Sequence, residues 1–260
     1  MSSRPRFPGA TSVSRLEAYA DAATDGLAGG TPHLHTVSSE AYLVVAGSGV
    51  LQTVDATGFA QHPLEPGTLV WFEPGVIHRA VNQGSLDVRV IMANAGLPEA
   101  GDAVMTFPDE VLADPAAYQA AAALPGPDRP ADERRAAAGA RRDLAVRGFL
   151  DLFDDGVPDA ARLDHERLAR LHARAVALVA PRAAGWRGLW QHGALAEATE
   201  TGARLDALDA GRDPGLAAAR VTTAGPEPAS LGMCGVLDRY RLAPDLDPGP
   251  GPISPAEGTR

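Results

Sequence analysis

The chain has 260 residues, 45% of them hydrophobic and 22% charged, enough to bury a sizeable core in one large domain or two. Its formal charge of −10 argues against nucleic acid as a partner, because a phosphate-binding surface needs a cationic field. All 23 basic residues are arginine, which excludes both a Schiff-base lysine and the phosphate-binding lysine of a P-loop.

The opening residues, MSSRPRFPGATSV, hold no apolar run of the kind a secretion signal needs, and the single cysteine, Cys234, cannot close an internal disulfide. The expected compartment is therefore the reducing cytoplasm. No apolar run approaches the length of a membrane span, so no membrane partner is expected.

From 11 to 95 the sequence reads as short strands separated by glycine- and proline-containing turns, in runs such as AYLVVAG, GTLVWFEPG and LDVRVIMANAG. From Pro108 it turns alanine-, arginine- and leucine-rich, broken by the linker LPGPDRPAD. Val146, Phe149, Leu150 and Phe153 fall at helical spacing, and Leu168, Leu171, Ala175 and Leu178 trace a second stripe. These helices are amphipathic and should pack on the strands or on a partner copy, a homodimer being one such arrangement. Pro181 opens a third long helix that puts Trp186 and Trp190 on one face, where core packing is the expected role. The run SLGMCGVLDRYRL can supply a strand that returns to the sheet, and the proline- and glycine-rich tail after it is expected to be disordered. The expected division is a β-domain over 1–105, a helical region over 106–220, a returning strand within 221–245 and a tail over 246–260.

The stretch TPHLHTVSSEAYLVVAGSG carries the chemistry. In an extended strand residues two apart face the same way, so His33 and His35 project together and Leu34 points oppositely. Glu40 follows after a polar stretch that can turn the chain, and it can reach the same point from the start of the next strand, which then runs to a turn at Gly47. A fourth group, His78, stands in PGTLVWFEPGVIHRAVN behind the turn at Pro74 and Gly75. Three imidazoles and a carboxylate suit a borderline divalent metal, and four protein ligands on an octahedral ion leave about two positions for water or substrate.

These two segments resemble the two motifs of the cupin superfamily. His33, His35, Glu40 and Gly47 match the first motif, and Gly67, Gly75, His78 and Asn82 match the second. Two turn residues depart from the pattern: Leu27 stands at the usual glycine before the first histidine, and Glu73 precedes Pro74 where a proline is usual. The resemblance implies an α+β chain, a cupin-type β jelly-roll barrel followed by a helical C-terminal region, with His33, His35, Glu40 and His78 as metal ligands. The implied cofactor is a divalent ion, Fe(II) or Mn(II) first, then Zn(II) or Ni(II).

Tyr42 shares the face of Glu40 and is the candidate catalytic side chain; Arg79 alternates to the outer face and is expected at the surface. Cys234 is expected to be structural rather than reactive, and His62, His165 and His172 to be solvated or packed. The cavity wall is expected to include Tyr42, Val44, Val88, Val90 and Met92, which suits a small, partly apolar acid or phenol over a sugar phosphate. The expected function is a metal-dependent enzyme on such a small-molecule substrate, a dioxygenase first. The alternative is a sugar- or metabolite-binding protein, or an isomerase without redox chemistry.

Overall fold

In the computed structural model, which describes residues 6–240 and 242, one antiparallel sheet is built from β1 (Ser12–Ala18), β2 (His33–His35), β3 (Glu40–Asp55), β4 (Gly58–Leu64), β5 (Leu69–Phe72), β6 (Ile77–Met92), β7 (Ala103–Met105), β8 (Ser230–Leu231) and β9 (Gly235–Arg239). The expected tail over 246–260 lies outside the described residues. β3 and β6 pair along nearly their whole lengths, from Glu40 opposite Met92 to Val54 opposite Ile77. The register shifts between Val44 and Gly49, and these irregularities bend the pair. The predicted turn at Gly47 is corrected here: the chain does not reverse, and Gly47 instead sits inside one sixteen-residue strand at φ +77°. A Cβ at Gly47 would collide with the Ser85 carbonyl oxygen, so only glycine allows β6 to approach this closely.

Strand alternation sorts the side chains into two cores. Leu16, Tyr42, Leu51, Leu64, Val88, Val90 and Met92 pack together inside the barrel. Leu34, Val54, Ile77, Val104 and Phe107 point the other way, into a second core that the helices complete. Among the described residues six α-helices follow β7: α1 (Asp109–Leu112), α2 (Pro115–Ala122), α3 (Ala131–Leu150), α4 (His165–Val179), α5 (Ala183–Trp190) and α6 (Ala196–Asp209). Asp164 caps α4, its carboxylate accepting the N–H groups of Glu166 at 2.9 Å and Arg167 at 3.0 Å. Phe149, Phe153, Leu168, Leu171, Trp186 and Leu189 enter the second core, so the stripes read from the sequence face the barrel. α3 passes so close that a Cβ at Gly148 would collide with the Thr106 carbonyl oxygen. The expected core packing fails for Trp190, which is 39% exposed while Trp186 is buried.

After the helices the chain returns as the β8–β9 hairpin, and β9 runs antiparallel to β1 with Ser14 opposite Arg239 and Ala18 opposite Gly235. Tyr19 Oη and Arg141 Nη2 each donate to the Gly232 carbonyl at 2.9 Å, and the Thr31 N–H donates to the Met233 carbonyl at 3.0 Å.

Arg79 is the clearest departure from expectation. It does alternate away from His78, but that face is covered and its side chain is fully buried. Its guanidinium pairs with Asp25 and donates to the Gly30 carbonyl at 3.1 Å, while Arg142 of α3 donates to the carbonyls of Asp21 and Ala22 at 2.9 Å each. Two arginines thus clamp the segment before β2 against β6. Among the described residues no helix is long and apolar enough to cross a membrane.

Candidate metal centre

β2 is only three residues long, and both of its faces are used. Leu34 enters the helical core while His33 and His35 turn into the barrel. The β2–β6 register sets His33 directly opposite His78, with ring centroids 4.2 Å apart, and Glu40 arrives as the first residue of β3. One ligand atom from each of the four lies within 4.8 Å of all the others, and all four residues are buried. This is the one such cluster found among the described residues.

The imidazoles are held in a single orientation. His33 Nδ1 lies 2.9 Å from the Thr31 carbonyl, His78 Nδ1 lies 3.2 Å from the Val76 carbonyl, and His35 Nδ1 lies 2.6 Å from Asp102 Oδ1. A carbonyl or carboxylate can only accept, so each Nδ1 carries a proton and Nε2 is the ring atom that faces the cluster, the one a metal would bind once any proton on it is displaced. Glu40 Oε2 sits 3.2 Å from His35 Nε2 and 3.1 Å from His78 Nε2. Despite that proximity Glu40 Oε2 and His78 Nε2 have no hydrogen-bond partner, because their alignment is wrong for one. Neighbouring ligand atoms on an octahedral ion with bonds of about 2.1 Å stand about 3.0 Å apart, so these orphaned buried atoms fit a shared divalent cation.

The electrostatics divide the imidazoles. Burial, reinforced by His78 and His35, holds His33 well below its ordinary pKa, so it is neutral. Burial also opposes charge on His35, but the hydrogen bond to Asp102 and the nearby Glu40 carboxylate outweigh it and raise the group to about 10. Glu40 is held below the usual carboxylate range because His78 and His35 overcome the effect of its burial.

Asp102 was not legible in the sequence. It is fully buried, accepts the Ser38 N–H at 2.9 Å through its second oxygen, and so fixes both His35 and the turn leading to Glu40. Such a carboxylate behind a ligand histidine orients the ring and raises its basicity.

A cavity of about 160 Å³ opens on His33, His35 and Glu40. Tyr42 lines it, as do Val90 and Met92, but the expected Val44 and Val88 do not and pack in the barrel core instead. The missing wall is supplied by Met233, Cys234 and Leu237 of the C-terminal hairpin. Tyr42 Oη lies 4.0 Å from Cys234 Sγ, and burial, with Cys234 and Glu40, holds its hydroxyl protonated. His62 and His172 stand elsewhere, beside Thr53 Oγ1 at 3.1 Å and the Gly75 carbonyl at 3.0 Å.

The family model described as Cupin domain matches residues 25–94, the segment that carries all four clustered residues. Residues 25–94 form a cupin domain. No curated protein matches the sequence. Solved structures similar to the cupin domain include a conserved protein of Klebsiella pneumoniae with a double-stranded beta-helix domain, 17% identical over 35% of this chain and 73% of that one, with a TM-score of 0.27. Pac13, a nucleoside dehydratase of Streptomyces, is 18% identical over 35% of this chain and 65% of its own, with a TM-score of 0.26. CapF, a capsular polysaccharide assembling protein of Staphylococcus aureus, is 22% identical over 32% of this chain and 22% of its own, with a TM-score of 0.24. This chain thus spans about a fifth of CapF.

Proposed function

We propose that the cupin domain is a metal-dependent enzyme, holding a divalent cation on His33, His35, Glu40 and His78 and acting on a small organic substrate in the adjoining cavity. The observation that carries this reading is the convergence of three Nδ1-tethered imidazoles and an unpartnered, buried carboxylate oxygen on one point. A bound cation there supplies Lewis acidity and, as Fe(II) or Mn(II), redox chemistry with O₂. The chain's own residues do the rest. Val90, Met92 and Leu237 hold an apolar ring or alkyl chain and exclude water, and Tyr42 keeps a proton at Oη within the cavity.

Dioxygenation is the reaction placed first, in the reducing cytoplasm that an unpaired Cys234 suits. The second reading, an isomerase without redox chemistry, is favoured by the buried, protonated Tyr42 hydroxyl, a group placed for proton transfer. Elemental analysis of protein purified without added metal, followed by oxygen-electrode assays with phenols, thiols and keto acids, tests both. Bound Fe or Mn with substrate-dependent O₂ uptake is expected. Turnover without O₂ uptake selects the isomerase, and protein free of any transition metal after reconstitution rejects the metal centre.

A further inference from the structure

Beside the metal cavity lies a second chamber of about 300 Å³, and the two share Met233, Leu237 and Arg239 along a common wall. Three arginines from distant parts of the chain border it: Arg141 of α3, Arg182 just before α5, and Arg239 of β9. Several arginines elsewhere in this acidic protein are matched, Arg15 and Arg89 with Asp87, Arg79 with Asp25 and Arg142 with Asp21. Among the described residues, none of the three around the chamber forms an ion pair.

Arg141 donates to the carbonyls of Ala122 at 3.2 Å and Gly232 at 2.9 Å, and its Nε is buried with no partner. Burial pulls its pKa down, and the groups that counter this are Tyr19, Tyr118 and Cys234, none of them charged at neutral pH. Arg182 donates to the Gly101 carbonyl at 3.2 Å. The one acid on the chamber wall, Glu99, is exposed, and its carboxylate accepts the Gly96 N–H at 2.9 Å. Tyr118 Oη accepts the Met105 N–H at 3.2 Å, which leaves its own proton to donate. Three like charges around one space repel one another, and Arg141 and Arg182 have lost part of their hydration, a cost that a bound oxyanion offsets through charge-assisted hydrogen bonds.

We propose that this chamber is an anion subsite, taking the carboxylate or phosphate of a small molecule through Arg141, Arg182 and Arg239. That the anion belongs to the substrate of the neighbouring cavity rests on the metal-dependent reading above; the chamber's affinity for an oxyanion does not. The subsite also bears on the expectation of an acid or phenol over a sugar phosphate, which rested on an apolar cavity wall: the helices and the C-terminal hairpin set arginines beside that wall.

The test is calorimetric titration of chelator-treated full-length protein with inorganic phosphate and, separately, malonate, at constant ionic strength. The natural protein is compared with Arg182→Gln/Arg239→Gln, one half-buried and one exposed position, and with His78→Ala, with circular dichroism confirming that each variant is folded. Saturable binding of at least one anion is expected, with Kd at least about tenfold higher in the double variant and little changed in His78→Ala. Tighter phosphate points to a phosphate ester, and tighter malonate to a carboxylic acid. No saturable binding, an unchanged Kd in the double variant, or loss of binding in His78→Ala overturns the subsite. Because the titration is run without metal, a failure of the metal reading leaves this result standing.

Discussion

Asp102 Oδ1 and His35 Nδ1 meet at 2.6 Å across 67 positions of sequence, so the cupin domain borrows the group that orients one of its histidines from a residue beyond the segment matched by the family model. Removing that group should loosen the ring and lower its basicity. Asp102→Ala is expected to weaken metal affinity by about 10- to 100-fold, and Asp102→Asn, which keeps an acceptor but not the charge, by less. Competition with a coloured chelator measures both; unchanged affinity in Asp102→Ala would contradict the assignment.

His78 contributes an Nε2 with no hydrogen-bond partner and no solvent exposure. His78→Ala should therefore cut bound metal sharply and remove the stabilisation that metal gives the native state, about 2.7 kcal/mol where free metal stands at a hundred times Kd. Elemental analysis and thermal unfolding with and without chelator read the two effects. A chelator-induced fall in Tm as large as that of the natural protein would count against His78 as a ligand.

Phe149 ties α3 to the barrel's outer face, meeting Phe59 at a tilt and Phe153 edge-on in the core that also holds Leu34, Val54 and Ile77. Phe149→Ala should cost about 3–5 kcal/mol in denaturant unfolding. Cutting the chain after Gly101 removes every helix and should leave a poorly soluble barrel with that apolar face bare. A soluble, metal-loaded fragment 1–101 would show that the helices are dispensable.

Cys234 is buried against Tyr42, and burial, with Glu40 adding to it, pushes its thiol from 9.0 up to about 12. The folded value lies above the unfolded one, so the neutral thiol's contribution to stability is fully present below pH 9 and is lost as pH rises toward 12. At pH 8 a disulfide reagent should label the folded protein on the order of a hundredfold or more slowly than the urea-unfolded chain. Rapid labelling of the folded form would show that the hairpin opens readily.

The four clustered residues were legible because strand geometry is local: a two-residue period and a short turn suffice to aim His33, His35 and Glu40 together, and the second motif carries His78. Whatever depends on distant chain was not. Asp102 and Cys234 reach the site, and the three arginines reach the chamber beside it, through packing that no sequence period encodes. Arg79 shows the limit of alternation, which gave its face correctly but not what covers that face, since the segment from Asp25 to Gly30 lies there. Gly47 shows another limit: a glycine after an apolar run marks a tight turn or a bulge equally well, and only its partner Ser85 decides between them.

The wall that β9 adds to the cavity has a consequence in time. The last clustered residue to be synthesised is His78, and β9 follows it by roughly 8 to 32 seconds at about 5–20 residues per second. Through that interval β1 lacks the neighbour it finally has from Ser14 to Ala18, and its backbone groups on that side are an open template. The nascent barrel is therefore most exposed to mispairing with another chain along β1, the edge next to its own chemistry, and a chain released before Gly235 keeps that edge for good.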